Sequence, residues 1–151
     1  SWIWMESQET ATVSPEMFEE FCLPYYAKVG ELMGKIYYGC CEPVHEIYEM
    51  LLRDIPNIKK FSISLWCDEN IMGNALRGTN IVYSRKPDPT YVGVGGPDLD
   101  EEAWRKHIRK TLDAAKECQV EFIMRDIYSC SGNLSKAKRA VQIVKEEAKN
   151  I

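Results

Sequence analysis

Five short apolar runs, each followed by a stretch with helical apolar spacing, succeed one another along the 151 residues. Such alternation predicts an α/β fold of repeating βα units, with a mainly parallel sheet and right-handed crossovers. The runs fall at residues 2–5, 35–40, 58–66, 80–84 and 120–127. In the third, Phe61, Ile63 and Leu65 alternate with Ser62 and Ser64, the period of a strand. Ser14-Pro15-Glu16 opens the first helix, with serine as cap and proline at the first helical position. Pro24 then predicts a kink or two short helices. Further helices are expected over 43–55, 69–76, 98–116 and 133–149. In the last, Asn133 is the cap and Leu134, Ala137, Val141 and Val144 face inward. Residues 87–97, rich in Pro and Gly, read as a loop.

Two architectures accommodate this order: an open doubly wound sheet, or part of a (β/α)8 barrel. A complete barrel takes about 250 residues. One domain over 1–151 with five strands is therefore expected to be a partial barrel.

Net charge is −4 and the basic residues are dispersed, which argues against a nucleic-acid partner. The densest basic group, Lys136, Lys138 and Arg139, reads as the solvated face of a helix. No apolar run approaches the roughly 20 residues that span a bilayer. The opening residues show neither a basic region nor a cleavage pattern. The six cysteines do not form a secreted disulfide pattern, so a reduced, cytoplasmic protein is expected.

In parallel α/β folds, ligands meet the carboxyl ends of the strands. Glu6, Glu9 and Asp126 are candidate catalytic acids and bases. The alternatives are solvated loop carboxylates and, for Asp126, an ion pair with Arg85 or Arg125. Arg85 and Lys86 suit a substrate carboxylate or phosphate, or form an ordinary surface pair. Trp66, with Trp2 and Trp4, lines a pocket for a flat ligand or packs in the core. Cys40 and Cys130, completed by Glu42, His45 or Cys67, are candidate zinc ligands; otherwise they are small buried hydrophobes. Cys40 and Cys41 are expected on opposite faces of a strand. His45 is expected in the first turn of a helix and His107 exposed in the middle of one.

Several segments together resemble the superfamily of uroporphyrinogen decarboxylases and cobamide-dependent methyltransferases. They are Glu6-Ser7-Gln8-Glu9-Thr10-Ala11 with Ser14 to Phe21, Tyr37-Tyr38-Gly39-Cys40-Cys41-Glu42-Pro43, Ser62 to Trp66, and Arg85-Lys86-Pro87. The resemblance covers nearly the whole chain and the C-terminal part of the family's barrel. It implies a partial barrel of the uroporphyrinogen decarboxylase type. In the methyltransferase branch it implies zinc on a His-x-Cys motif plus a distant cysteine, activating a thiol toward a methyl-corrinoid. Cys40 matches the cysteine of that motif and Cys130 suits the distant one. Tyr38 stands at the histidine position and Cys41 replaces a glycine. In the decarboxylase branch the substrate is a tetrapyrrole handled without cofactor. The expected partner is thus a corrinoid protein or a tetrapyrrole-like molecule, and corrinoid-dependent methyl transfer is favoured over uroporphyrinogen decarboxylation. A non-catalytic binding or oligomerisation module is the other expectation. Two open sheet edges predict a homo-oligomer.

Overall fold

The computed structural model describes residues 1–149; Asn150 and Ile151 of the expected domain lie outside them. Five strands form one parallel sheet in the order β1-β2-β3-β4-β5: Trp2–Met5, Lys35–Tyr38, Ile58–Ile63, Val82–Arg85 and Gln119–Phe122. Strand order follows chain order throughout. In a doubly wound sheet the order reverses at a switch point; here it never does. That order is compatible with a segment of a barrel wall.

Four of the helices begin with side-chain caps. Ser14 accepts from Met17 N at 3.3 Å and starts α1, Pro15–Phe21. Asp68 accepts from Asn70 N and Ile71 N and starts α4, Glu69–Leu76. Asp100 and Asn133 do the same for α6, Glu101–Ala114, and α7, Leu134–Glu147. Each cap satisfies an orphan N–H and contributes about 1 kcal/mol. Pro24 divides the first crossover as expected: α1 ends at Phe21 and α2, Leu23–Glu31, follows. The remaining helices are α3, Tyr48–Asp54, and a short α5, Thr90–Gly93, inside the expected loop.

Met5, Ile36, Tyr38, Ile58, Phe61, Ile63 and Tyr83 point from the sheet into one core, meeting Phe18, Leu23, Leu51, Met72 and Leu76 of the helices. A second core joins Val92, Trp104, Ile108, Leu112, Ala140, Ile143 and Val144, with Phe122 at its margin. The helix layer thus covers one face of the sheet. On the other, Trp2 and Trp4 are more than half exposed. Pairing shifts from Ile36↔Ile58 to Tyr37↔Lys60, so one extra residue enters β3. That bulge returns Phe61 to the core side and puts Lys60 on the open face.

Four local expectations change. The strands stop short of their apolar runs: β2 ends at Tyr38, β3 at Ile63 and β5 at Phe122. The buried face of α7 is Lys136, Ala140, Ile143, Val144 and Glu147, while Leu134 is exposed. Lys136 is not solvated: its ammonium donates to Val94 O at 2.8 Å and Gly96 O at 3.0 Å. It caps backbone carbonyls of the 87–97 segment, a role invisible to helical periodicity. His107 is not exposed. It stacks on Tyr91, neighbours Trp104 and accepts from Asp88 N. Burial, with Arg85 nearby, holds its pKa below the ordinary value, so the ring is neutral.

Candidate functional site

The open face of the sheet carries a connected set of polar and aromatic side chains. Trp4 and Tyr37, paired across β1 and β2, stack with ring centroids 6.2 Å apart. Tyr37 Oη and Ser84 Oγ are 3.0 Å apart, and Ser84 donates to Glu121 at 2.6 Å. Lys60 meets the same carboxylate at 2.7 Å and lies over the Tyr37 ring. Burial raises the Glu121 pKa, but the hydrogen bonds from Lys60 and Ser84 outweigh it and leave the carboxyl below its usual value. In a closed barrel this face is the lumen.

At the carboxyl ends of the strands the set continues into a small pocket of about 100 Å³. Cys40, Cys41, Trp66, Lys86, Arg125 and Asp126 are among its lining residues. Lys86 is nearly buried. Its ammonium donates to Cys40 O at 2.8 Å and sits 5.6 Å and 5.8 Å from the Trp4 and Tyr37 ring centroids. Burial depresses its pKa, and the neighbouring Arg125 adds to that. Arg125 donates to Cys40 Sγ at 2.9 Å and pairs with Asp126 at 3.0 Å. Burial nevertheless pushes the Cys40 thiol up to about 11, with the Glu6 carboxylate opposing the effect of Arg125. At neutral pH the group is therefore a thiol.

Glu6, Cys40, Trp66, Lys86 and Asp126 thus gather around one rim. Five expected residues take other places. Glu9 is exposed in the 3-10 turn Gln8–Thr10. Arg85 turns to the helix side, because neighbouring strand residues point to opposite faces. Its guanidinium donates to Ile63 O, Ser64 O and Glu69 Oε1, while Nε has no partner. Glu42 is a buried backbone clasp: Oε1 accepts from Ser7 N at 2.9 Å and Oε2 from Cys40 N at 2.8 Å. His45 precedes α3 instead of opening it, and its Nδ1 accepts from Asp68 N. Cys130 packs against the second core with Phe122, Met124 and Ile127.

The expected zinc ligands do not fit a zinc ion as they stand: Cys67 is buried and accepts from Val44 N at 3.3 Å. Glu42 is engaged by two backbone amides, His45 by a third, and Cys130 belongs to another core. Among the described residues no group of three or more His, Cys, Asp or Glu is arranged to hold a metal.

Sequence reasoning missed two members of the rim. Tyr37 was read only as part of a strand, although its alternation with Tyr38 marks it as open-face. Arg125 falls near the end of the fifth apolar run, but the strand-end rule gives it no role beyond an ion pair with Asp126. Its position beside Cys40, 85 residues away in the chain, left no local signal.

The sequence matches no protein-family model and no curated protein. Among the described residues, no helix is long and apolar enough to cross a membrane.

Proposed function

We propose that the chain is the later part of a barrel of the uroporphyrinogen decarboxylase type, and that its open face and rim bind a planar, carboxylate-bearing tetrapyrrole or corrinoid. Corrinoid-dependent methyl transfer to a thiol or similar acceptor is the favoured chemistry. One observation carries the reading: a nearly buried ammonium, Lys86, sits over two stacked rings of which one, Trp4, is more than half exposed. A flat macrocycle can cover the free Trp4 face while a peripheral carboxylate meets Lys86 and Arg125. Desolvated cation–ring contacts contribute about 2 kcal/mol each, so these residues hold the charge in place before a ligand arrives.

The geometry supports the following roles. Lys86 and Arg125 orient the ligand's anionic edge. Trp4 and Tyr37 form the platform. Asp126 fixes Arg125. Glu6, whose carboxylate raises the Cys40 pKa, is assigned the role of accepting the proton of that thiol. The residues do not support zinc on the expected set, so no step is routed through a metal.

Decarboxylation of a tetrapyrrole is the second reading, favoured by the two cations at the rim. Equilibrium dialysis against hydroxocobalamin and uroporphyrin separates the two. Saturable binding of hydroxocobalamin supports the corrinoid reading, and binding of uroporphyrin alone moves the assignment to the decarboxylase branch. Trp4→Ala and Lys86→Met are expected to weaken binding by about tenfold or more, the loss of one such contact. If neither ligand binds saturably, the proposal fails.

A further inference from the structure

Residues 40 and 41 do not lie on a strand, and this changes what the two cysteines can do. β2 stops at Tyr38, and Gly39 follows with φ +95°, a conformation open to glycine. The turn removes the strand alternation that sends neighbouring side chains to opposite faces. The two sulfurs lie 3.7 Å apart and line the same pocket.

We propose that Cys40 and Cys41 form a bidentate dithiol site for a trivalent thiophilic centre of the arsenous-acid class. Three side chains fix the backbone of Cys40: Glu42 accepts from its N–H at 2.8 Å, and Lys86 and Ser62 donate to its carbonyl at 2.8 Å and 2.7 Å. The sulfurs are therefore pre-organised as a pair.

Direct oxidation suits this pair poorly. Adjacent Cα atoms are about 3.8 Å apart, below the usual disulfide range of about 4.4–6.8 Å. Closing the sulfurs to about 2.05 Å would also move a backbone held by three hydrogen bonds. A bridging atom leaves the sulfurs near their present separation. Zinc asks for four ligands, and none of the described residues completes such a set. A pyramidal trivalent centre needs two sulfurs and one further substituent, which the pocket between Trp66 and Arg125 admits.

The chemistry balances without a redox partner. Two S–H bonds and two As–OH bonds break, two As–S bonds form, and two waters leave. Arsenic stays trivalent. The thiol protons depart in the water, so the protonated state of Cys40 is no obstacle.

The test uses phenylarsine oxide on the reduced full chain, with intact-mass and peptide-mapping readouts. The expected result is one phenylarsenic group per chain, with loss of one water, bridging Cys40 and Cys41 and released by 2,3-dimercaptopropanol. Cys40→Ser and Cys41→Ser should each bind about 100-fold more weakly, because the second sulfur acts intramolecularly. Cys22→Ser should bind as the parent does. Circular dichroism checks the fold of each variant. If Cys40→Ser unfolds, Cys41→Ser, at the less buried position, decides. Unchanged affinity in a folded Cys41→Ser protein, an adduct mapped to other cysteines, or no adduct on the folded parent overturns the proposal.

Discussion

The Lys86 ammonium donates to the carbonyl oxygen of Cys40 across 2.8 Å, joining the end of β4 to the end of β2 over the strand between them. Ser62 of that middle strand donates to the same oxygen at 2.7 Å. One carbonyl thus gathers three strand ends, which is why a rim assembles from residues far apart in the chain.

On the other side of the sheet, Arg85 and Glu69 form a buried ion pair at 3.2 Å, with Thr111 also donating to Glu69. Removing Arg85 leaves the buried Glu69 carboxylate with only the more distant Lys110, 3.9 Å away, as a cationic partner. Arg85→Met alone should therefore cost about 3–5 kcal/mol, and Arg85→Met with Glu69→Leu should cost less than Arg85→Met alone. Urea unfolding of the single and double variants checks the order. A double variant less stable than Arg85→Met would contradict this account.

Gly73 marks the close approach of α4 to the end of α6. A Cβ built there falls 1.9 Å from Ala114 O and 2.8 Å from Ala114 C. Both are backbone atoms, so no rotamer change relieves the clash. Gly73→Ala should lower stability by about 1–3 kcal/mol or more despite alanine's better helix propensity. A thermal midpoint equal to the parent's would show that the two helices separate freely.

Arg105, Arg109 and Arg139 clasp Glu101, Glu146 and Glu147 across α6 and α7. Arg109 and Arg105 hold the Glu147 carboxyl below its ordinary 4.5, and Arg139 does the same for Glu101. Carboxyls lowered in the folded state stabilise it above their unfolded value and lose that contribution as pH falls through the folded value. Melting temperature should therefore decline below about pH 4.5, and less steeply in Glu147→Gln. High salt should shrink the difference, since the partners face water. A pH profile identical in parent and variant would remove Glu147 from the clasp.

β1 and β5 are the sheet's edges. Beside β5 runs an apolar groove of about 490 Å³ lined by Leu112, Val120, Phe122, Met124 and Val144. Trp2 and Trp4 stand exposed on the other edge strand, β1. Exposed edges and apolar patches drive association. Sedimentation velocity should show a dimer or larger species, weakened in Trp2→Ser with Val120→Lys. A monomer at all concentrations would rule this out.

Much of the fold was legible along the chain because it rests on local chemistry. The alternation of strand and helix, the break near Pro24 and the caps at Ser14 and Asn133 depend on residues within a few positions of one another. α4 emerged at its expected bounds for the same reason: Asp68 starts it. Strand ends were less legible. Apolar runs continue past Tyr38, Ile63 and Phe122 because the following residues also line the rim or pack on helices, which apolarity alone does not distinguish from pairing. Glu6, Cys40, Trp66, Lys86 and Asp126 followed from the strand-end rule. Arg85 did not: as the alternate residue to Tyr83 in β4 it turns to the helix side, and only its neighbour Lys86 reaches the rim.

The amino-acid order alone determined a parallel α/β fold of five βα units, since periodicity and capping act over short spans. Only the tertiary structure decided that strand order never reverses, that Arg125 reaches Cys40, that Cys130 belongs to another core, and that a turn at Gly39 brings two adjacent thiols to one pocket. Those facts depend on which distant surfaces pack together, and packing is settled by shape and burial across the whole chain.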